Sequence, residues 1–233
     1  MTSVYGGRVH SRSLEAWQHS HLAELPDEVR TGMLADAFVV TVAAGNPVGE
    51  VDSGSVLALI HSGLTRIVLK APDGRMATIR YAGPGQVLGL CSVIAGSSPW
   101  GGYAITECEI TFLDPSTLRR FAQADARVAW ALARQAARIC YEVVDTLGGN
   151  VFGTIDQRVS RHLLDMAIRT PEGLVVLADQ RELAQSVGSV REVVARSIRA
   201  LREQGALSRL SGGGLLIERP DVLSGIADSI DNG

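Results

Sequence analysis

Residues 179–202, DQRELAQSVGSVREVVARSIRALR, contain two short helical patterns that are joined at a glycine. We expect the first helix to begin after Asp179, which serves as its N-cap, and to break at Gly188. Ser189 is then expected to cap the second helix with its hydroxyl. A short helix, a tight turn and a second helix are typical of a helix-turn-helix motif.

The second helix of this motif divides into an apolar face and a charged face. The apolar residues recur at helical spacing and are expected to face inward: Val190, Val194, Ile198 and Leu201. The charged residues are expected to face outward: Arg191, Glu192, Arg196, Arg199 and Arg202. The chain as a whole has a net charge of −3, but residues 189–211 hold five arginines against two glutamates. Such a local basic surface favours nucleic acid as the partner.

Composition narrows the class of protein. The cysteines Cys91, Cys108 and Cys140 are odd in number and far apart, which favours a reduced, cytoplasmic protein with buried thiols. The N-terminus has no apolar signal segment, and the most apolar run, 33–44, is short and contains Asp36, which argues against a membrane span. No nucleophile–base pair, metal-ligand spacing or phosphate loop is found, so we expect no enzyme, cofactor or metal.

A β-rich region precedes the helical half of the chain. Between residues 38 and 113, short apolar runs alternate with glycines: FVVTVAAG, VLALIHSG, LTRIVLKA, MATIRYAG and AITECEITFL. Pro72-Asp73-Gly74 predicts a turn between two of these strands. Short strands at this spacing indicate a sandwich or a barrel-like roll.

A long helix is expected to follow, from about residue 125 to 147. Its apolar positions follow a near-heptad rhythm: Val128, Leu132, Gln135/Ala136, Ile139, Val143 and Thr146/Leu147. This stripe could lie on the chain's own β-domain, but the small residues beside it favour a homodimer through close approach of a second helix. Gly148-Gly149-Asn150 is the expected hinge after the helix.

The C-terminal part completes a winged helix. Thr154 is expected to cap a helix over 155–168, and 205–219 reads as a hairpin, the wing, with its turn at 212–214. Four regions result: a tail with a short helix (1–30), a β-roll domain (31–123), a dimerisation helix and hinge (124–149), and a winged helix-turn-helix (150–233).

This order of parts resembles the Crp/Fnr family (cyclic-AMP receptor protein-like) of bacterial transcription factors. The most specific match is GSVREVVAR at 188–196, supported by PDGR at 72–75, PGQVLG at 84–89 and Arg158. The resemblance covers about residues 38–220 and implies an α+β fold. It comprises a cyclic-nucleotide-binding-type β-roll, a long dimerisation helix and a winged helix-turn-helix.

The resemblance implies roles for the charged residues of the second helix. Arg191 and Arg196 would read guanines and Glu192 a cytosine, which agrees with the hydrogen-bonding groups of those bases. Glu192 and Arg196 are also four residues apart, so an ordinary surface ion pair is the alternative. Candidates for phosphate contacts, which could equally be solvated polar side chains, are Gln180, Ser189, Arg199 and Arg209.

The sensor half departs from its relatives. Cyclic-nucleotide binders of the family carry a glutamate after the motif glycine, where this chain has Leu90, and an Arg-Ser pair where it has 97–102 without arginine. They also place a Thr-Ser pair where the long helix has Val143-Val144. Since a buried phosphate needs a cation, cyclic AMP is not favoured. An apolar effector, or no effector, fits the expected lining: Leu88, Gly89, Leu90, Ser98, Trp100, Tyr103, Ile139, Val143 and Val144.

Other modes of sensing find less support. The first cysteine is Cys91, so the N-terminal cysteine group of iron–sulfur sensors is missing, and His61 is the best-placed haem-ligand candidate. We therefore expect a homodimer that binds a near-palindromic site on double-stranded DNA, with RNA polymerase and a small-molecule effector as candidate further partners. The rival is a small-molecule or haem-binding protein whose winged helix contacts proteins.

Overall fold

The structure, a computed structural model, describes residues 4–48, 56–70, 76–96, 100–177, 180–211 and 213–229. Contacts divide the chain into two compact units, Met1–Lys70 with Ala82–Glu142, and Ala71–Tyr81 with Val143–Gly233. The expected turn at Pro72-Asp73-Gly74 and the expected N-cap Asp179 lie outside the described residues. Among the described residues, no helix is both long and apolar enough to cross a membrane.

The N-terminal half forms a β-roll that is framed by short helices, as predicted. In chain order its elements are α1 (Val4–Gln18), a 3-10 turn (His21–Glu24), α2 (Asp27–Ala35), β1 (Phe38–Val42), β2 (Leu57–Ser62), β3 (Thr65–Lys70), β4 (Met76–Ala82), β5 (Val87–Leu88), α3 (Leu90–Ala95), β6 (Trp100–Ala104) and β7 (Cys108–Leu113). Their strands form two sheets, ordered β1-β7-β2-β5 and β4-β3-β6. Antiparallel pairing with β7 sets Phe38 opposite Phe112, and the two rings stack 5.4 Å apart.

The main core of the first unit lies between this first sheet and the helices. Strand β2 supplies Leu57 and Leu59, while α1 and α2 supply Trp17 and Met33, and all four are buried. Gly89 stands at the start of α3 with φ of +82°, where an added Cβ would lie 1.5 Å from the carbonyl oxygen of Val56. Only glycine fits there, since a side chain would be both strained and in collision.

The remaining elements begin with α4 (Pro115–Ala124), which Asp114 caps by accepting from the amides of Ser116 and Thr117. The Asp114 carboxylate also accepts from the hydroxyls of Ser116 and Thr117, and these two bonds, with a smaller effect from the amides, lower its pKa to about 2. The long helix α5 follows at Ala126–Phe152. It passes through Gly148-Gly149-Asn150 as continuous helix, so its end lies five residues beyond the expected Leu147.

Helix α5 buries the predicted stripe within its own unit. Val128, Leu132 and Gln135 are buried against the roll, and Ile139 packs against the same core. Assigning this stripe to a partner helix was therefore wrong for its first half. The periodicity was correct, but it reflects contact with the chain's own β-domain.

A second apolar stripe on α5 is exposed to solvent. Trp130 is 69% exposed, Tyr141 76%, Val144 58% and Val151 62%. At 100° per residue these positions lie within about 80° of one another, on the side of the helix opposite Val128 and Leu132. The face of α5 that is available to another molecule is thus the one that the sequence reasoning overlooked.

The second unit is a winged helix. After α5 come α6 (Ile155–Asp165), β8 (Ile168–Thr170), β9 (Gly173–Val176), α7 (Gln180–Ser186), α8 (Arg191–Glu203), β10 (Leu207–Arg209), β11 (Leu215–Ile217) and α9 (Pro220–Ala227). Thr154 caps α6 in a full capping box with Gln157. The strands form one antiparallel sheet in the order β10-β11-β9-β8, in which β10 and β11 are the predicted wing hairpin.

The expectation that all three thiols are buried was wrong. Cys108 is buried, Cys91 is half-buried and Cys140 is exposed, and all three are free. Burial raises the pKa of the Cys108 thiol. Cys140 lies on α5, and the sequence alone did not show that this side of the helix would be exposed to solvent.

Candidate nucleic-acid interface

The turn between α7 and α8 is built from backbone hydrogen bonds around a left-handed glycine. Gly188 has φ of +64°, and its amide donates to the carbonyl of Gln185 while the amide of Ser189 donates to that of Ala184. This pair of bonds is a Schellman motif, which ends α7 and turns the chain. The predicted break at Gly188 is confirmed.

The start of α8 differs from the sequence expectation in two ways. Its N-cap is Val190, with no side-chain cap bond, so the expected cap by Ser189 was wrong. Val190 itself is 59% exposed and does not belong to the inward stripe, whereas Val194, Ile198 and Leu201 are buried as predicted. The amide of Ser189 is used by the turn, which draws the residue out of the capping position.

The charged residues of α8 lie on the surface. Arg191, Glu192, Arg196 and Arg199 are all exposed. Glu192, Arg196 and Arg199 fall within about 60° of one another on the helix, opposite the buried stripe. Arg191 lies in the first turn of α8, about 80° around the helix from Arg199 and on the side of the buried Ile198.

A groove of about 440 Å³ runs between α8 and the wing. Its lining brings together three predicted DNA contacts, Gln180, Arg191 and Arg209. Ser189 and Arg199 are not part of this lining. The groove also takes in Leu210 and Ser211 at the wing tip, which the sequence reasoning missed. Their position next to a predicted hairpin turn was the signal that could have found them.

Helix α6 connects the motif to the rest of its unit. Arg158 donates from Nη1 to the carbonyl of Val187 at 3.0 Å, and Arg161 donates from Nη2 to that of Ala227 at 3.2 Å. His162 is buried, with Nδ1 3.0 Å from the hydroxyl of Tyr81 on β4. Burial is the main reason why the pKa of His162 falls to about 4, with Arg161 and Arg158 adding to the effect.

The predicted effector residues are only partly described. Leu90 is 1% exposed and packs in the main core of the first unit, and Leu88 is buried as well. Tyr103 is half-buried beneath the guanidinium of Arg66, which lies 6.0 Å from its ring centroid. Ser98 and the Trp100 side chain lie outside what the structure describes. On α5, Ile139 and Val143 are half-buried and Val144 is exposed, and the pocket stays a prediction.

Among the described residues, no three His, Cys, Asp or Glu side chains form a group that could hold a metal ion. His61 is half-buried at the end of β2, and its Nε2 is hydrogen-bonded to Oγ1 of Thr111. Burial lowers the pKa of His61. Oγ of Ser13 lies 2.8 Å from the same Thr111 oxygen, so His61 belongs to a packed polar network between α1 and the roll.

Comparison with known proteins identifies both parts of the chain. Residues 157–226 match the Crp-like helix-turn-helix domain, and residues 48–125 match the cyclic nucleotide-binding domain. The transcriptional regulator LdrP of Thermus thermophilus is 30% identical over 67% of this chain and 80% of its own length. The CRP-like cAMP-activated global transcriptional regulator of Mycobacterium tuberculosis is 31% identical over 75% of this chain and 81% of its own.

Solved structures agree on the fold. The structure of FixK2 from Bradyrhizobium japonicum superposes with a TM-score of 0.71 at 21% identity, covering 83% of this chain and 98% of that one. The β-roll, the long helix and the winged helix follow one another in the order that the domain matches require. Since both domains and a relative of this identity agree, the chain belongs to the Crp/Fnr family of transcriptional regulators.

Proposed function

We propose that this regulator reads a specific DNA sequence with Arg191, Glu192 and Arg196 of helix α8. The observation that carries the proposal is the exposed charged face of α8 beside the wing groove. A guanidinium can donate to O6 and N7 of one guanine, and a carboxylate can accept from N4 of cytosine. The buried stripe holds the opposite side of α8 in its unit, which leaves this face free to enter a major groove.

Phosphate contacts would then fix the position of α8 on the duplex without specifying sequence. Arg209 and Gln180 line the same groove as Arg191, so they are the best placed for this role. Arg199 lies two turns along the exposed face, and Ser189 lies in the turn before α8.

Selection of bound sequences from a random duplex pool, followed by titration of the preferred site, tests the proposal. Arg191→Ala should cost roughly 1–3 kcal/mol at that site and relax the preference at one base pair. Arg202→Ala is the matched control, because Arg202 is an exposed arginine in the last turn of α8 with no reading role. Unchanged affinity and preference in Arg191→Ala would overturn the assignment.

We further propose that the regulator is a homodimer joined through the exposed stripe of α5. Isolated surface aromatics are common, but Trp130, Tyr141, Val144 and Val151 lie on the same side of one helix. A second copy presents the same stripe, which is the self-complementary surface that a two-fold interface requires. Two α8 helices about 34–36 Å apart would then read a near-palindromic operator.

For the sensor domain we propose an effector other than cyclic AMP, or none. Leu90 takes the place of an acid that would hold a ribose hydroxyl, and it contributes to the core instead. The lining expected from sequence is apolar, which favours an apolar or aromatic ligand. Mass spectrometry of ligand released from the purified protein tests this directly.

The alternative is a cyclic-AMP-responsive regulator with a non-standard pocket. The Mycobacterium tuberculosis relative is named as cAMP-activated, and Arg66 is a buried cation in the roll, next to Tyr103. A cation in that position could offset the charge of a phosphate. A haem-binding sensor whose winged helix contacts proteins is the other candidate, and an absorption spectrum of the purified protein would distinguish it.

A further inference from the structure

Beside the Schellman turn, a carbonyl just beyond the end of α7 accepts a hydrogen bond from a side chain. The amides of Gly188 and Ser189 serve the carbonyls of Gln185 and Ala184. The carbonyl of Val187, the last residue before the left-handed glycine, is instead met by Nη1 of Arg158 at 3.0 Å. Arginine side chains near a helix C-terminus are well suited to such carbonyls, because the end of the helix carries a partial negative charge.

Arg158 lies on a helix, α6, that is firmly held in its unit. This helix begins in a capping box, and its inward residues Val159 and Leu163 are fully buried. The adjacent Gln157 donates from Nε2 to the carbonyl of Ser229, which ties the first turn of α6 to the end of α9. Arg158 is partly buried, its Nη1 donates to the carbonyl of Val187, and its Nε has no hydrogen-bond partner among the residues that the structure describes.

Ser186 and Val187, just before the turn, are buried, but helix α8 itself has no side-chain bond at its start. Its N-cap, Val190, is exposed and makes no side-chain cap bond. The first buried residue of α8 is Val194, one turn further along. The position of Arg191 and Glu192 therefore depends on the geometry of the turn from Val187 to Val190.

We propose that Arg158 is a positioning residue for sequence reading, because its bond to Val187 fixes the turn from which α8 starts. The inference rests on the proposed function, in which α8 reads base edges. Hydrogen bonds to bases tolerate little displacement, whereas contacts to phosphates adapt more easily. Loss of the Arg158 bond should consequently reduce discrimination between DNA sequences more than it reduces affinity for DNA in general.

The test compares Arg158→Met, which keeps the aliphatic stem, and Arg158→Lys, which keeps the charge, with Arg161→Met. Arg161 serves as the control, because it also lies on α6 and donates to a helix-end carbonyl, that of Ala227 on α9, although it pairs with Asp145 as well. In DNA-free protein, amide exchange at Gly188 and Ser189 should be about tenfold faster in Arg158→Met, as expected for a lost charged hydrogen bond. Arg161→Met should leave those amides unchanged.

On DNA, the ratio of selected-site affinity to random-duplex affinity should fall about tenfold in Arg158→Met, and less in Arg158→Lys. If Arg158→Met does not fold, Arg158→Lys carries the same test. An equal fall in Arg161→Met would reduce Arg158 to a general stabiliser and overturn the proposal. The proposal would also be overturned if the slope of log affinity against log salt fell by about 0.9 in Arg158→Met, because such a change marks the loss of a direct phosphate contact.

The two proposals fail in different ways. If the wild-type protein prefers no sequence, base reading by α8 is lost, whatever the exchange data show. If it does prefer one and Arg158→Met keeps the full affinity ratio, only the positioning role is lost.

Discussion

The hydroxyl of Tyr81 lies 3.0 Å from Nδ1 of His162, and the two rings meet edge to face at 5.7 Å. His162 is 2% exposed, so its imidazole is held neutral in the second unit. A neutral ring can accept from the Tyr81 hydroxyl, whereas a protonated ring would be a buried cation beside Arg158 and Arg161.

Acid should therefore destabilise the second unit through His162. The pKa is 6.5 in the unfolded reference and falls to about 4 in the folded protein, so the unfolded chain binds the proton first. The contribution is complete above pH 6.5 and is lost as the pH falls towards 4. Its size is on the order of 3 kcal/mol.

Denaturant unfolding of the wild type and of His162→Gln at pH 7.5 and 5 measures this contribution. His162→Gln should lose less stability on acidification than the wild type does. His19→Gln, a change at an exposed histidine, should keep the wild-type dependence. Equal acid sensitivity of His162→Gln and the wild type would contradict the assignment.

The wing should contribute to DNA affinity through its positive charge, and it should not affect which DNA sequence is preferred. Removing the exposed cation in Arg209→Ala should lower the slope of log affinity against log salt by about 0.9, since one phosphate contact is lost. The selected sequence should stay the same. Arg219→Ala is the control, because Arg219 is exposed, pairs with Asp221 and lies outside the lining of the groove. A changed sequence preference in Arg209→Ala would show that the wing reads bases.

A charge in the exposed stripe of α5 should prevent dimerisation. Val144→Glu would bury a carboxylate between two apolar surfaces, which is costly without a partner cation. Sedimentation velocity should show a dimer for the wild type and a monomer for Val144→Glu. Ile94→Glu makes the same kind of change at an exposed aliphatic residue outside α5 and should remain dimeric. If Val144→Glu and Ile94→Glu are both dimeric, the dimer interface does not lie on the exposed stripe of α5.

Calorimetry with cyclic AMP should show no micromolar binding. The expected site lacks the acid after Gly89, and Leu90 is committed to the core. If heat is nevertheless released with micromolar affinity, Arg66→Met tells whether the buried Arg66 supplies the counter-charge. Loss of that heat in Arg66→Met would establish the alternative function.

Local signals in the sequence predicted much of the fold. The Gly188 break, the Thr154 cap and the wing hairpin each depend on a few neighbouring residues, and the structure confirms all three. Strand β6 was missed because two glycines separate the two residues of WGGYA that favour a strand, Trp100 and Tyr103. The start of α8 was misplaced by one residue, because the backbone of Ser189 serves the turn and its side chain does not cap.

Long-range packing could not be predicted in the same way. Periodicity on α5 identified Val128 and Leu132 as a stripe, but it cannot tell the chain's own core from a second copy. The exposed row is harder to recognise, since alanines such as Ala133 and Ala137 separate its large residues. Arg158 matched the family pattern, but its bond to Val187 depends on two helices that the sequence separates by 29 positions.

Leu90 also bears on what the sensor domain can bind. Its side chain is packed among Leu57, Leu59 and Val93, so a glutamate there would place an unpaired carboxylate in the main core. A glutamate could be accommodated there only if several neighbours changed as well. The packing of the main core and the chemistry of the sensor domain are thus coupled at this one position, because a residue that fills the core cannot also offer a polar contact to a ligand.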